Sequence, residues 1–223
     1  MSRMTKEELR EDPVLEWIQD AISFLQRNMR WILTGAIIVV AVIVGGVALS
    51  RSHQRAEREA AQQLAAAQRG YLQGAYAQAE VQLRQLIDAH GGTRVAGAAR
   101  VYLGDALLAQ QRATEALETY EEAIAKGGDQ DPMVLAAAHR GRAAALESLS
   151  RPAEASQAYA DAAQFDTAFT FDDLYHAGRT ALEAGDAQRA RALFERAQSR
   201  GDTRRAAEVD FYLAQAEAML AQS

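Results

Sequence analysis

An all-α fold is predicted, with a single transmembrane helix followed by an α-solenoid of about four helix pairs and a capping helix. Three observations carry this expectation. Trp31 to Leu49 is a run of 19 residues with no charged side chain. Beyond it, an alanine, a bulky residue four later and a small or aliphatic residue three after that recur four times. Finally, roughly a fifth of the 223 residues are alanine, prolines number three and aromatics make up only 7%. Such a composition favours helices over a sandwich or barrel.

The balance of charge removes several functional classes. A net charge of −6 supplies no global field for nucleic acid. With no cysteine, neither a disulfide nor a thiolate metal site can form. The chain is also too apolar to be disordered throughout.

Residues 1–30 read as an N-terminal amphipathic segment. Thr5-Lys6-Glu7-Glu8 fits a capping box, and Asp12-Pro13 a second helix start. From there Leu15, Ile18, Ile22, Leu25 and Met29 recur at spacings of three and four, widened by Val14, Trp17, Ala21 and Phe24. Trp17, Ile18, Ile22 and Leu25 are the docking face expected of this helix. Either it lies on the lipid surface or it packs on a partner protein. Its polar face is not rich in bases, which weakens the lipid reading.

Residues 31–50 form the expected span. At about 1.5 Å per residue the uncharged run covers close to 30 Å, the hydrocarbon thickness of a bilayer. Trp31 stands at one edge as an aromatic anchor. A cleaved signal peptide is disfavoured, because six acidic residues precede a run longer than a signal core. Ala41 and Gly45, and Gly46 and Ser50, make small-xxx-small pairs that let a second helix approach. Arg27 and Arg30 flank one side and Arg51, Arg55 and Arg58 the other, so charge does not orient the span. No strong breaker follows until Gly74, which allows the helix to continue through a linker at 51–60.

Residues 61–223 hold the repeats. The four copies are Ala79-Leu83-Leu86, Ala116-Tyr120-Ala123, Ala155-Tyr159-Ala162 and Ala190-Phe194-Ala197. Turns precede these second helices at Gln73-Gly74, Ser150-Arg151-Pro152 and Ala184-Gly185-Asp186. Leu103-Gly104 and Ala177-Gly178 mark places where helices cross closely. A longer turn is expected at Lys126 to Pro132, and a capping helix from about Arg204 to Leu220. One helix pair cannot bury its apolar face alone, so neighbouring pairs must stack.

This pattern resembles the tetratricopeptide repeat (TPR) family, whose 34-residue unit places a small residue in its first helix and an alanine–aromatic–alanine trio in its second. The second and fourth copies match best. The resemblance implies a helical solenoid that acts by binding proteins through a concave surface. By repeat register, the residues facing that groove are Gln68, Tyr71, Asp105, Leu108, Arg140, Glu147, Tyr175 and Arg179. They mix both charge signs with aromatics, as suits an extended peptide or partner helix.

No catalytic motif stands out, and the expectation is a non-enzymatic protein with no cofactor and no metal. His53, His90, His139 and His176 are dispersed. Asp172-Asp173 is read as a helix start favoured by the dipole, and Glu121-Glu122 as a solvated face. The layout of short segment, single span and repeat array resembles the bitopic bacterial envelope proteins of the ancillary SecYEG translocon subunit type. That resemblance implies a bacterial inner-membrane protein with a cytoplasmic N-terminus and a periplasmic repeat domain. Its partners would be a membrane protein complex, extended polypeptide clients, or both, beside the lipid bilayer. The alternative is a permanent structural subunit of a large bioenergetic complex.

Overall fold

The computed structural model describes residues 13–127, 130–165, 167–200 and 205–222. The Thr5–Glu8 capping box, Asp12, Gly128, Asp129 and Arg204 lie outside them. All regular structure among the described residues is helical. In order, the helices are α1 (Pro13–Leu72), α2 (Tyr76–His90), α3 (Arg94–Ala109), α4 (Ala113–Ala125), α5 (Pro132–Ser148), α6 (Pro152–Ala162), α7 (Thr170–Glu183), α8 (Ala187–Ser199) and α9 (Ala206–Leu220). A 3₁₀ turn, Ala163–Phe165, follows α6. The chain divides into two compact units, Met1–Gln54 and Arg55–Ser223.

In the first unit, Pro13 opens α1, at the position where its missing N–H costs nothing. The helix then runs unbroken through the uncharged stretch, which is long and apolar enough to cross a membrane. Its large side chains are exposed along the whole run, Trp31 at 78% and Val42 at 69%. The same holds for the docking face, where Trp17, Ile18, Ile22 and Leu25 are all exposed. A side chain added at Gly45 or Gly46 would touch nothing in this chain.

The second unit is the solenoid. Its pairs are the Arg55–Leu72 part of α1 with α2, then α3 with α4, α5 with α6 and α7 with α8, closed by α9. Each pair turns by the same device. Gly74, Gln111, Ser150 and Gly185 all take positive φ, at 79°, 63°, 57° and 79°. The next amide, on Ala75, Arg112, Arg151 or Asp186, donates to a carbonyl five residues back at 2.9 Å. This is a Schellman ending, which satisfies carbonyls left orphaned by the helix terminus. Two of the four positions are not glycine, so the bonding fixes a conformation that the side chain disfavours.

The turn residues are spaced as the repeat alanines are, so they set a common register. Seven residues before each turn stand Ala67, Gly104, Ala143 and Gly178. Small size is needed there because the second helix delivers its bulky residue onto that point. A Cβ added at Gly104 would lie 2.5 Å from the Tyr120 ring, and one at Gly178 would lie 2.7 Å from Phe194. Leu83, Tyr120 and Phe194 are fully buried as a result. Tyr159, the third copy, is nearly so.

Side-chain caps fix the starts of α3, α5 and α8. Thr93 Oγ1 accepts from Ala96 N at 3.3 Å, Asp131 Oδ1 from Met133 N at 2.8 Å and Asp186 Oδ1 from Arg189 N at 2.9 Å. Glu57 adds a carboxylate at the start of α3, accepting from Arg94 N at 2.8 Å. The capping helix begins at Ala206, and its Val209 and Ala216 are buried against the array.

Candidate functional site

The first helices of successive pairs, α3, α5 and α7, line a cavity of about 380 Å³. Val101, Asp105 and Leu108 come from α3, and Ala137, Arg140, Gly141 and Ala144 from α5. Asp172, Asp173 and His176 come from α7, with Phe169 just before it. Tyr120 and Tyr159 reach in from the second helices.

Why the hollow sits here follows from the register. Nine residues before the turn, the four pairs carry Ala65, Tyr102, Gly141 and His176. Gly141 stands where the pairs on either side carry an aromatic ring, and its missing side chain leaves that place to Tyr120 from the second helix. The Tyr120 ring sits against the gap, so that any Cβ at Gly141 would collide with it. Tyr120 O–H donates to Asp105 Oδ1 at 2.5 Å, and Tyr159 O–H to Glu147 Oε2 at 2.7 Å. Burial, with the neighbouring carboxylate, pushes both phenols well above their ordinary range. Burial likewise raises Asp105, against the opposing pull of the Tyr120 hydrogen bond.

Twelve residues before the turn, the second and third pairs bury Ala99 and Ala138. The fourth places Asp173 there, at 0% exposure. Arg140 Nε from the preceding pair lies 2.8 Å from Asp173 Oδ1, an ion-pair contact too misaligned to count as a hydrogen bond. The same guanidinium stacks over Phe169 at 4.7 Å. Burial outweighs the arginine, and the Asp173 pKa stands at about 6. Arg205 is held in a parallel way, 4.9 Å over the Tyr175 ring and 4.0 Å from Asp172.

The groove residues expected from the sequence fall into three groups. Asp105, Leu108 and Arg140 line the cavity together. Glu147 and Arg179 form a close ion pair with each other, and Arg179 a second one with Glu183. Gln68 and Tyr71 lie on α1, away from the cavity; Tyr71 packs edge-on to Tyr76 and Tyr102 at 5.4 and 6.0 Å. Tyr175 is buried rather than displayed in the groove. Its O–H donates to Glu208 Oε2 at 2.8 Å, and its ring packs edge-on to Tyr212 at 5.9 Å, joining α7 to the cap.

Other residues play parts that the sequence did not suggest. Asp172 and Asp173 do lie in the first turn of α7, but Asp173 is also buried beside Arg140, and Phe169, Gly141 and Tyr120 shape the site. Counting each first helix back from its turn would have exposed Gly141 and Asp173 as the odd members of their rows. His139 and His176 are half-buried and held below their ordinary pKa, first by burial. His53 is exposed, and His90 sits 3.3 Å from Gln63. Glu121 faces solvent beside Arg142 as expected. Among the described residues no three metal-binding side chains come together.

Residues 64–132 match the family model for the tetratricopeptide repeat. Solved structures extend the likeness in fold over most of the chain. A tetratricopeptide repeat protein from Parabacteroides merdae superposes with a TM-score of 0.58 at 17% identity, covering 72% of this chain and 61% of that one. PilF of Pseudomonas aeruginosa gives 0.56 at 20% identity, covering 75% and 71%. A Podosopora anserina protein of nearly identical TPR-like repeats gives 0.57 at 18% identity, covering 72% and 86%. No curated protein matches the sequence. The all-α, TPR-like solenoid expected from the alanine–aromatic trios is therefore the observed fold. Its kind is one generally used to bind proteins rather than to catalyse.

Proposed function

We propose that this chain is a membrane-anchored, non-enzymatic TPR protein that mediates protein–protein interactions beside an inner-membrane complex, as an adaptor or chaperone-like accessory of the translocon type. The observation that carries the reading is the open cavity on the α3–α5–α7 face. It offers aromatic walls, a half-buried guanidinium and carboxylates. Such a lining suits an extended polypeptide, whose alternating side chains need shallow pockets and whose amides need scattered polar partners. The exposed, uncharged stretch of α1 supports anchoring, since large aliphatic side chains over about 30 Å are stable only in lipid or against protein. By the layout, the N-terminus is cytoplasmic and the solenoid periplasmic in a bacterial inner membrane. The reading takes 31–50 as span, 51–60 as linker and 61–223 as binding domain.

A second reading is favoured by one observation. Trp17, Ile18, Ile22 and Leu25 lie on a helix with no partner for them in this unit. These side chains, and separately the small-residue pairs Ala41–Gly45 and Gly46–Ser50 in the span, suit packing on a permanent neighbour, as in a structural subunit of a bioenergetic complex. Crosslinking in native membranes, followed by mass spectrometry of what copurifies, separates the two. Varied polypeptides recovered through Asp105, Leu108 and Arg140 are expected from the adaptor. Fixed stoichiometry with one complex through residues 17–50 sinks it in favour of the structural subunit.

A further inference from the structure

The cavity carries an imbalance that specifies its ligand. Arg140 is already engaged by Asp173 and Phe169, and Arg179 beyond it by Glu147 and Glu183. Asp105 faces the same space with no basic partner among the described residues; its one strong contact is the Tyr120 hydroxyl. Burial raises the Asp105 pKa and donation from that hydroxyl opposes it, so a cation brought beside the carboxylate would favour its ionised form. Behind Arg140, Asp173 is fully buried yet keeps both oxygens without a hydrogen bond. Arg140 and Asp173 meet each other's charge, so the carboxylate left without a base on the α3 side of the cavity is Asp105, beside Leu108 and the Tyr120 ring.

The site also shows what kind of group it stabilises. The Arg140 guanidinium, with an aromatic face on one side and a carboxylate on the other, is a cation held by this very lining. We propose that the α3 side of the cavity takes a basic side chain, lysine or arginine, of an extended polypeptide, with Asp105 as its counter-ion. Leu108 and Tyr120 wall the aliphatic stem while the charged head reaches the carboxylate. An acidic side chain is disfavoured there, because Asp105 repels it where screening by water is reduced, whereas Asp172 and Asp173 are already met by Arg205 and Arg140. The inference rests on the groove reading above and adds the chemical class of its ligand.

The test uses the full chain in mild detergent and a set of labelled extended peptides, identical but for one central residue: lysine, arginine, glutamine or glutamate. Fluorescence anisotropy reads each affinity. Lysine and arginine peptides are expected to bind about tenfold tighter than the glutamine peptide, and glutamate weakest, as one desolvated charge-assisted contact implies. The preference should shrink as salt is raised. Asp105→Asn should bring the lysine peptide down to the glutamine level, while Asp105→Glu keeps the preference. Equal binding of lysine and glutamine peptides overturns the proposal and leaves the groove reading standing. Binding of none of the four overturns both. The peptide series on the unsubstituted chain is decisive by itself, so a folding defect in Asp105→Asn does not blunt it.

Discussion

Ile37 and Leu86 are both large aliphatic residues on helices, yet one is 68% exposed and the other 0%. They stand for two regions that handle apolar surface in opposite ways. In the solenoid, each bulky residue of a second helix has a small partner on a first helix, as Tyr120 has Gly104 and Phe194 has Gly178. Burial there is completed by the chain itself. Between Trp17 and Leu49, no small-for-large exchange exists, and the side chains radiate from a single helix. The lesson is that apolar content alone does not make a core. The pairing of sizes does, and where it is missing another medium must cover the surface.

The comparison can be broken first at its strongest point. Tyr120→Ala removes a fully buried ring and its bond to Asp105, and should destabilise the solenoid by about 3–5 kcal/mol. Urea unfolding followed by helical circular dichroism checks this. A loss under about 1 kcal/mol would show that the size pairing is not what holds the array together.

The opposite test belongs to the other region. Val42→Arg places a charge at the middle of the exposed run and should cost about 2.5–3.5 kcal/mol of membrane insertion. Membrane fractionation reads the outcome, with the chain expected to shift toward the soluble or aggregated fraction. The solenoid's unfolding midpoint should not move, because Val42 belongs to the other compact unit.

A third prediction concerns the one acid buried where its neighbours bury alanine. Asp173 has its pKa raised from 3.8 to about 6. Between those values the folded state holds a proton that the unfolded state has lost, so this group's contribution is full below about pH 4 and is lost as pH rises through 6. Stability should therefore fall on going from pH 4.5 to pH 7 by an amount on the order of 2 kcal/mol that Asp173→Asn removes. Equal pH slopes in the two proteins would show that Asp173 is not perturbed.

The smallest effect refines the solenoid's own register. Ser150 takes φ of 57° where two of the four repeats use glycine. Ser150→Gly should stabilise by about 0.5–1 kcal/mol, since the left-handed strain is relieved in a bond pattern already fixed. Thermal unfolding is the check, and Gln111→Gly should behave alike.

Much of the architecture was legible in the sequence because helix pairing writes itself locally. An alanine, an aromatic four later and an alanine three after that share one face of a helix, whatever else the chain does. The groove was legible only in part. Asp105, Leu108 and Arg140 do meet in one cavity, whereas Tyr175, at the same register position as Arg140, is covered by α9. Repeat register places a residue on a first-helix face, but the terminal pair has a capping helix where the others have a further repeat.

The sequence by itself determined the two regions, the helices and the small-residue crossings, because each depends on spacings of three and four within a helix or on an unbroken apolar run. Tertiary structure alone decided that Tyr120 fills the place of a side chain at Gly141, that Asp173 is buried beside Arg140, and that Asp105 meets the Tyr120 hydroxyl and no base among the described residues. Those relations join residues 21 and 33 positions apart across stacked pairs and 15 apart within one pair. They are set by how unequal repeats of 37, 39 and 35 residues stack, which no single helix face records.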